Sequence, residues 1–213
     1  MVLGCGDVCL PVEAAHFRTV RDADSLPSSL SALDRSGGTN AEEVARVVQA
    51  ALKAQSMTRS RVLYFTEGVV SAGAVNAQTL EAELPSLIKG TPISVVSYGG
   101  GDQEMLLAIA NGTGGAVMDV GGQSATAVAR QIVATTDSPV MSGIKLTFGE
   151  GLTEVYPPVI APVSAGDAIR FVARENGGGV DSVHVSALIQ GERVEFDTPI
   201  LFVEDSQQVA AKM

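Results

Sequence analysis

The sequence predicts an α/β domain with a mostly parallel sheet and helices on both faces, followed by a small antiparallel β-domain. Three observations lead there. Residues 8–135 alternate short apolar runs with segments of helical periodicity, an order that requires parallel pairing through crossovers. Near Thr135–Pro139 the helical periodicity stops and glycine-punctuated strand patterns take over. At 213 residues the chain can hold one mid-sized domain and a small one. The expected division is 1–138 and 139–213.

Val8–Ala14 and Phe17–Val20 read as two closely joined strands, and Ser25–Leu33 as a short helix. Ala41–Ser56 is a longer helix, because Val44, Val47, Val48, Ala51 and Leu52 recur at helical spacing. Thr39 or Asn40 is its N-cap, with Glu42 or Glu43 completing a capping box. Arg61–Thr66 is a buried-strand pattern, followed by a helix over Gln78–Ile88 and a strand over Ile93–Tyr98. Gln103–Asn111 reads as a helix stopped by Gly112 and Gly114-Gly115, then Ala116–Val120 as a strand and Gln123–Ala134 as the last helix. Beyond residue 140 the strands are Ser142–Phe148, Ala168–Arg174, Val183–Gln190 and Arg193–Val203. Turns fall at Asn176–Gly179 and Gln190–Glu192, and Pro157, Pro158 and Pro162 mark an extended connector.

Charge and composition exclude several functions. With 24 acidic against 14 basic residues, a net charge of −10 and no basic cluster, nucleic acid and anionic membrane surfaces are not expected partners. No apolar run approaches the roughly 18 residues that span a bilayer, so no membrane insertion is expected. Aromatics make up 4% and Trp is absent, which leaves few rings for stacking on bases or sugars. Cys5 and Cys9 are too few for a metal site, and read as buried or half-buried thiols in a strand region. His16 and His184 lie far apart in sequence, and no Gly-x-Ser-x-Gly elbow offers either a nucleophile. Gly99-Gly100-Gly101-Asp102 lacks the lysine of a phosphate loop, and Asp102 would repel phosphate. Nothing in the residues argues for an enzyme.

Three segments, in this order, resemble a von Willebrand factor type A domain. They are Gly37-Gly38-Thr39-Asn40 opening a long helix, Val62–Gly68 ending in Thr66-Glu67-Gly68, and the stretch from Ile93 through Leu106–Ala110 to Thr113-Gly114-Gly115. The resemblance covers about residues 8 to 135 and implies a Rossmann-like sheet whose first strand is missing here. Thr153–Pro157, Ala165-Gly166-Asp167 and Ile169–Ala173 resemble the β-segment that follows the A domain in inter-alpha-trypsin-inhibitor heavy-chain-like proteins, an arrangement shared by many bacterial proteins.

That family holds a divalent cation on an Asp-x-Ser-x-Ser loop, a threonine and an aspartate. Carried over, Thr39 matches the threonine and Glu67 stands at the aspartate position, one methylene longer. The Asp-x-Ser-x-Ser loop has no counterpart, Asp7 being followed by Val8-Cys9. The resemblance therefore implies a degenerate or absent adhesion site, with metal ligands Thr39 and Glu67 at most and Mg²⁺ bound weakly or not at all. It also reads the chain as incomplete at its N-terminus, leaving the edges of Val8–Ala14 and Arg61–Thr66 facing a gap. The expected function is non-enzymatic: a protein–protein interaction or adhesion-type module with a protein partner, and self-association through unpaired strand edges. Closure of the two edges on each other, or a strand donated by a second chain, is favoured over insertion of Met1–Cys5, because Gly4 and Gly6 weaken that stub. The alternative is a small α/β ligand-binding or hydrolytic enzyme with its site at the strand ends near Thr39, Glu67 and Gly100. No signal in the chain assigns a compartment.

Overall fold

The computed structural model describes residues 1–6, 8–12, 26–32, 37–57, 60–99, 101–149, 151–177, 179–189 and 192–200. It begins with a hairpin, β1 (Leu3–Cys5) paired antiparallel with β2 (Cys9–Pro11), and a short helix α1 (Leu26–Ser31). Helix α2 (Ala41–Ala54), strand β3 (Val62–Thr66), helix α3 (Ala77–Leu87) and strand β4 (Ile93–Ser97) follow. Helix α4 (Gln103–Thr113), strand β5 (Val117–Asp119) and helix α5 (Ala125–Asp137) complete the α/β part. The remaining strands are β6 (Val140–Phe148), β7 (Leu152–Tyr156), β8 (Val163–Ser164), β9 (Val172–Glu175), β10 (Ser182–Ile189) and β11 (Glu192–Pro199).

The α/β order is as the sequence predicts. β3, β4 and β5 form a parallel sheet in that order, in register Leu63–Ser94, Phe65–Val96 and Val96–Met118. Val62, Tyr64, Ile93, Val95 and Val117 face one side, packed with α2, α3 and α4. Val96, Met118 and Val120 face the other, where Val128 and Ile132 of α5 cover them. Leu80, Leu84, Ile93 and Leu106 are almost wholly buried. Each contributes about 1.5–3 kcal/mol by burial, against about 1 kcal/mol for a helix cap. Packing therefore outweighs capping here, although Asn40, Asn76, Asp102 and Ser124 each cap their helix with a side-chain oxygen.

The C-terminal part is antiparallel. One sheet runs β11-β10-β6-β8, and β7 pairs with β9 in another. Their apolar residues form a separate cluster around Ile144, Phe148, Ile160, Val183, Val185 and Ala187. Helix α4 meets this part through Asn111, whose side chain accepts the N–H of Gly143 at 3.0 Å and donates to the Ile160 carbonyl at 3.5 Å. Among the described residues no helix is long and apolar enough to cross a membrane.

Several expectations are corrected. Of the strand expected over Val8–Ala14, the described residues form Cys9–Pro11, which pairs with Leu3–Cys5 instead of joining the parallel sheet. Gly4 does not prevent that pairing, because a hairpin partner satisfies its backbone locally. Cys5 and Cys9 are not free thiols: they face each other across the hairpin in a disulfide. Gly112 does not end α4; the helix runs to Thr113, and Gly114 caps it in the left-handed conformation at φ 82°. The strand expected from Ala168 starts only at Val172, while Leu152–Tyr156 and Val163–Ser164 are strands the pattern did not announce. Phe17–Val20, His16 and Val203 lie outside the described residues.

Candidate functional site

The C-terminal ends of β3, β4 and β5 and the N-terminus of α2 converge, the place where open parallel sheets carry their sites. Thr39 enters this end directly before Asn40, and Asn40, not Thr39, is the N-cap: its Oδ1 accepts the N–H of Glu43 at 3.1 Å. Thr39 is held by its backbone instead. Its N–H donates to Ser71 Oγ at 2.9 Å, and its carbonyl accepts the N–H groups of Ser71 and Ala72 at 3.0 and 3.1 Å.

Glu42 is not the reciprocal half of a capping box. Its Oε2 accepts the N–H of Ala74 at 2.7 Å, and its Oε1 pairs with Arg46 at 3.2 Å. The loop after β3 is thus fastened to the first turn of α2 by Thr39 and Glu42 together. Sequence reasoning missed Ser71; its one signal is a hydroxyl in the small-residue run Ser71-Ala72-Gly73, where Gly73 turns at φ 72° against Asn40 and Glu42.

Glu67 follows β3 and is exposed. Its carbonyl and the Cα of Gly68 lie so close to Gly101 that a side chain there would collide with backbone. Gly68, at φ 88°, donates to Thr66 Oγ1 at 3.0 Å, and its carbonyl accepts the N–H of Asp102 at 3.1 Å. The other carboxylates at this end are engaged locally. Asp102 Oδ1 caps α4 through the N–H groups of Glu104 and Met105, and Asp119 Oδ1 accepts from Gly121 at 3.0 Å.

The fold thus brings Thr39 to Ser71 and Glu67 to Gly101, at the same end of the sheet but in separate hydrogen-bonded loops. Among the described residues no group of three or more His, Cys, Asp or Glu side chains is arranged to hold a metal ion. Gly100 lies outside the described residues. His184 Nδ1 meets Asp197 Oδ1 at 2.9 Å on the exposed face of the β10–β11 ladder, far in sequence from these loops.

The second feature of this sheet is its outer edge. Among the described residues β3 pairs with β4 alone. Val62 donates inward to the Pro92 carbonyl at 2.9 Å, so the alternation of a parallel ladder turns the N–H and C=O groups of Leu63 and Phe65 outward. Their side chains share a face with Val96 and Met118, against which α5 packs, yet Leu63 is 37% and Phe65 54% exposed. At the start of this edge Arg61 lies against α5, its NH1 donating to the Thr135 carbonyl at 3.0 Å. On the inner face Tyr64 is partly buried; burial pushes its hydroxyl up to about 12, against the lowering effect of a hydrogen bond with Thr66.

No protein-family model matches the chain, and no curated protein does. Among solved structures it is similar to the human COPII-coat protein Sec24c, with 13% sequence identity and a TM-score of 0.41. The likeness covers 83% of this chain and 30% of that one, so the chain spans less than a third of that protein's length.

Proposed function

We propose that this chain is a non-enzymatic protein-binding module that docks an extended segment along β3 and carries a degenerate cation site. The observation that carries the reading is the outer edge of β3, where outward amides and carbonyls stand beside the exposed side chains of Leu63 and Phe65. Main-chain hydrogen bonds would supply affinity, and alternate side chains specificity. Thr39 and Glu67 would add little, since Mg²⁺ takes near-octahedral oxygen geometry and the two residues sit in separate hydrogen-bonded loops.

Selection of displayed random peptides on the immobilised chain tests this, with and without a chelator. Selected peptides should alternate apolar residues, bind equally with chelator present and lose binding to the Phe65→Lys variant. Peptides that require Mg²⁺, or that bind Phe65→Lys unchanged, would overturn the reading.

A further inference from the structure

The edge of β3 is self-complementary, and we propose that its occupant is β3 of a second copy, paired antiparallel about a two-fold axis. This rests on the protein-binding reading and names the partner.

Among the described residues the other strand edges are guarded. β11 carries Glu192, Arg193, Glu195 and Asp197, the β7–β9 pair carries Glu154, Arg174 and Glu175, and β8 is only two residues long. β5 ends in Asp119, and the β1–β2 hairpin is short and ends at Pro11. Charge, proline and brevity are the usual protections of an edge. Val62-Leu63-Tyr64-Phe65-Thr66 has none of them beyond its modest length, and Val62, Tyr64, Phe65 and Thr66 are of types that favour strands.

Charge sets the partner and the register. Arg61 precedes the strand and Glu67 follows it, both in phase with Leu63 and Phe65. In an antiparallel pair centred on Tyr64, Arg61 stands opposite the partner's Glu67, and Leu63 opposite the partner's Phe65. Leu63 and Phe65 are the residues whose backbone groups point outward, so each opposed pair exchanges both of its hydrogen bonds. A parallel pair along the same edge is offset by one residue, so it opposes neither Arg61 to Glu67 nor Leu63 to Phe65. The antiparallel pair repeats the same contacts on both sides, as an isologous dimer must. Two chains of charge −10 repel each other overall, and the Arg61–Glu67 pairs oppose that repulsion where the chains meet.

Sedimentation equilibrium of the full chain over micromolar concentrations tests the inference. The wild type should dimerise, and Phe65→Lys should be monomeric with an unchanged circular dichroism spectrum. Arg61→Glu and Glu67→Arg should each weaken the dimer by at least about tenfold. The double variant, and an equimolar mixture of the two single variants, should recover it. Glu67 is exposed, so Glu67→Arg reads the register even if Arg61→Glu disturbs the bond to Thr135.

A wild type that stays monomeric, a dimer indifferent to Phe65→Lys, or single-variant losses with no rescue would each overturn the inference. Peptides that still select the Phe65 edge of a monomeric chain would leave the protein-binding reading standing alone. Loss of both would remove both.

Discussion

Asn111 and Gly143 tie helix α4 to the C-terminal sheet: the asparagine Oδ1 on α4 accepts the β6 N–H at 3.0 Å. Asn111 is 3% exposed, so water cannot replace that bond. Asn111→Leu leaves a part-buried N–H and the Ile160 carbonyl without this partner, and should cost about 1–3 kcal/mol. The urea midpoint should fall, and an unchanged midpoint would show that the junction contributes nothing.

The neighbouring Gly112 behaves unlike an ordinary helical glycine. Replacing one by alanine in an open helix gains about 1 kcal/mol. Here a Cβ would come within 2.8 Å of the Glu81 carbonyl, which Pro85 one turn later cannot engage because it has no N–H. Gly112→Ala should therefore destabilise by about 1–3 kcal/mol, the usual cost of overpacking. A gain in urea midpoint would contradict the close α3–α4 approach.

Glu81 should make stability depend on pH. Burial raises its carboxyl above the ordinary range, and the opposing charge of Lys145 lowers it less. A group raised in the folded state stabilises the fold below its unfolded value near 4.5, and that stability is lost as pH rises through the folded value. Glu81→Gln should then be more stable than the wild type at pH 7, with the difference shrinking as the pH falls below Glu81's ordinary value near 4.5. Urea titrations at both ends of that window check the sign.

Mg²⁺ should bind weakly or not at all. Thr39 and Glu67 sit in separate loops, and the carboxylates of Glu42, Asp102 and Asp119 already accept backbone N–H groups. Calorimetry with Mg²⁺ and with Mn²⁺ should give no saturable heat at micromolar metal. Saturable micromolar binding abolished by Glu67→Ala would contradict this.

Much of the α/β part was legible because burial follows periodicity. Val44, Val48 and Leu52 mark the buried face of α2, and the apolar run at Ile93–Ser97 is the fully buried central strand. The reading failed where tertiary contact overrides local preference. Gly112 looks like a helix stop, yet it stays in α4 because it fits against Glu81. β7 was hidden because Glu154 adopts a φ of 52° and the ladder to β9 shifts between Thr153 and Tyr156, which breaks the alternation. The Cys5–Cys9 bridge needed a hairpin at Leu3–Cys5 that Gly4 argued against. At the candidate site, the motif order singled out Thr39 and Glu67, which the fold puts in separate loops at one end of the sheet; Ser71 and the Glu42–Ala74 bond had no such signal, since only folding brings that loop to α2.

Amide hydrogen exchange measured against protein concentration reads whether the open edge of β3 pairs with another strand. Tyr64, bonded inward to β4, should be protected at every concentration. Leu63 and Phe65 should exchange fast in dilute solution and slow as the concentration rises. Equal protection of Leu63 and Phe65 at all concentrations, or none at any, would contradict the account.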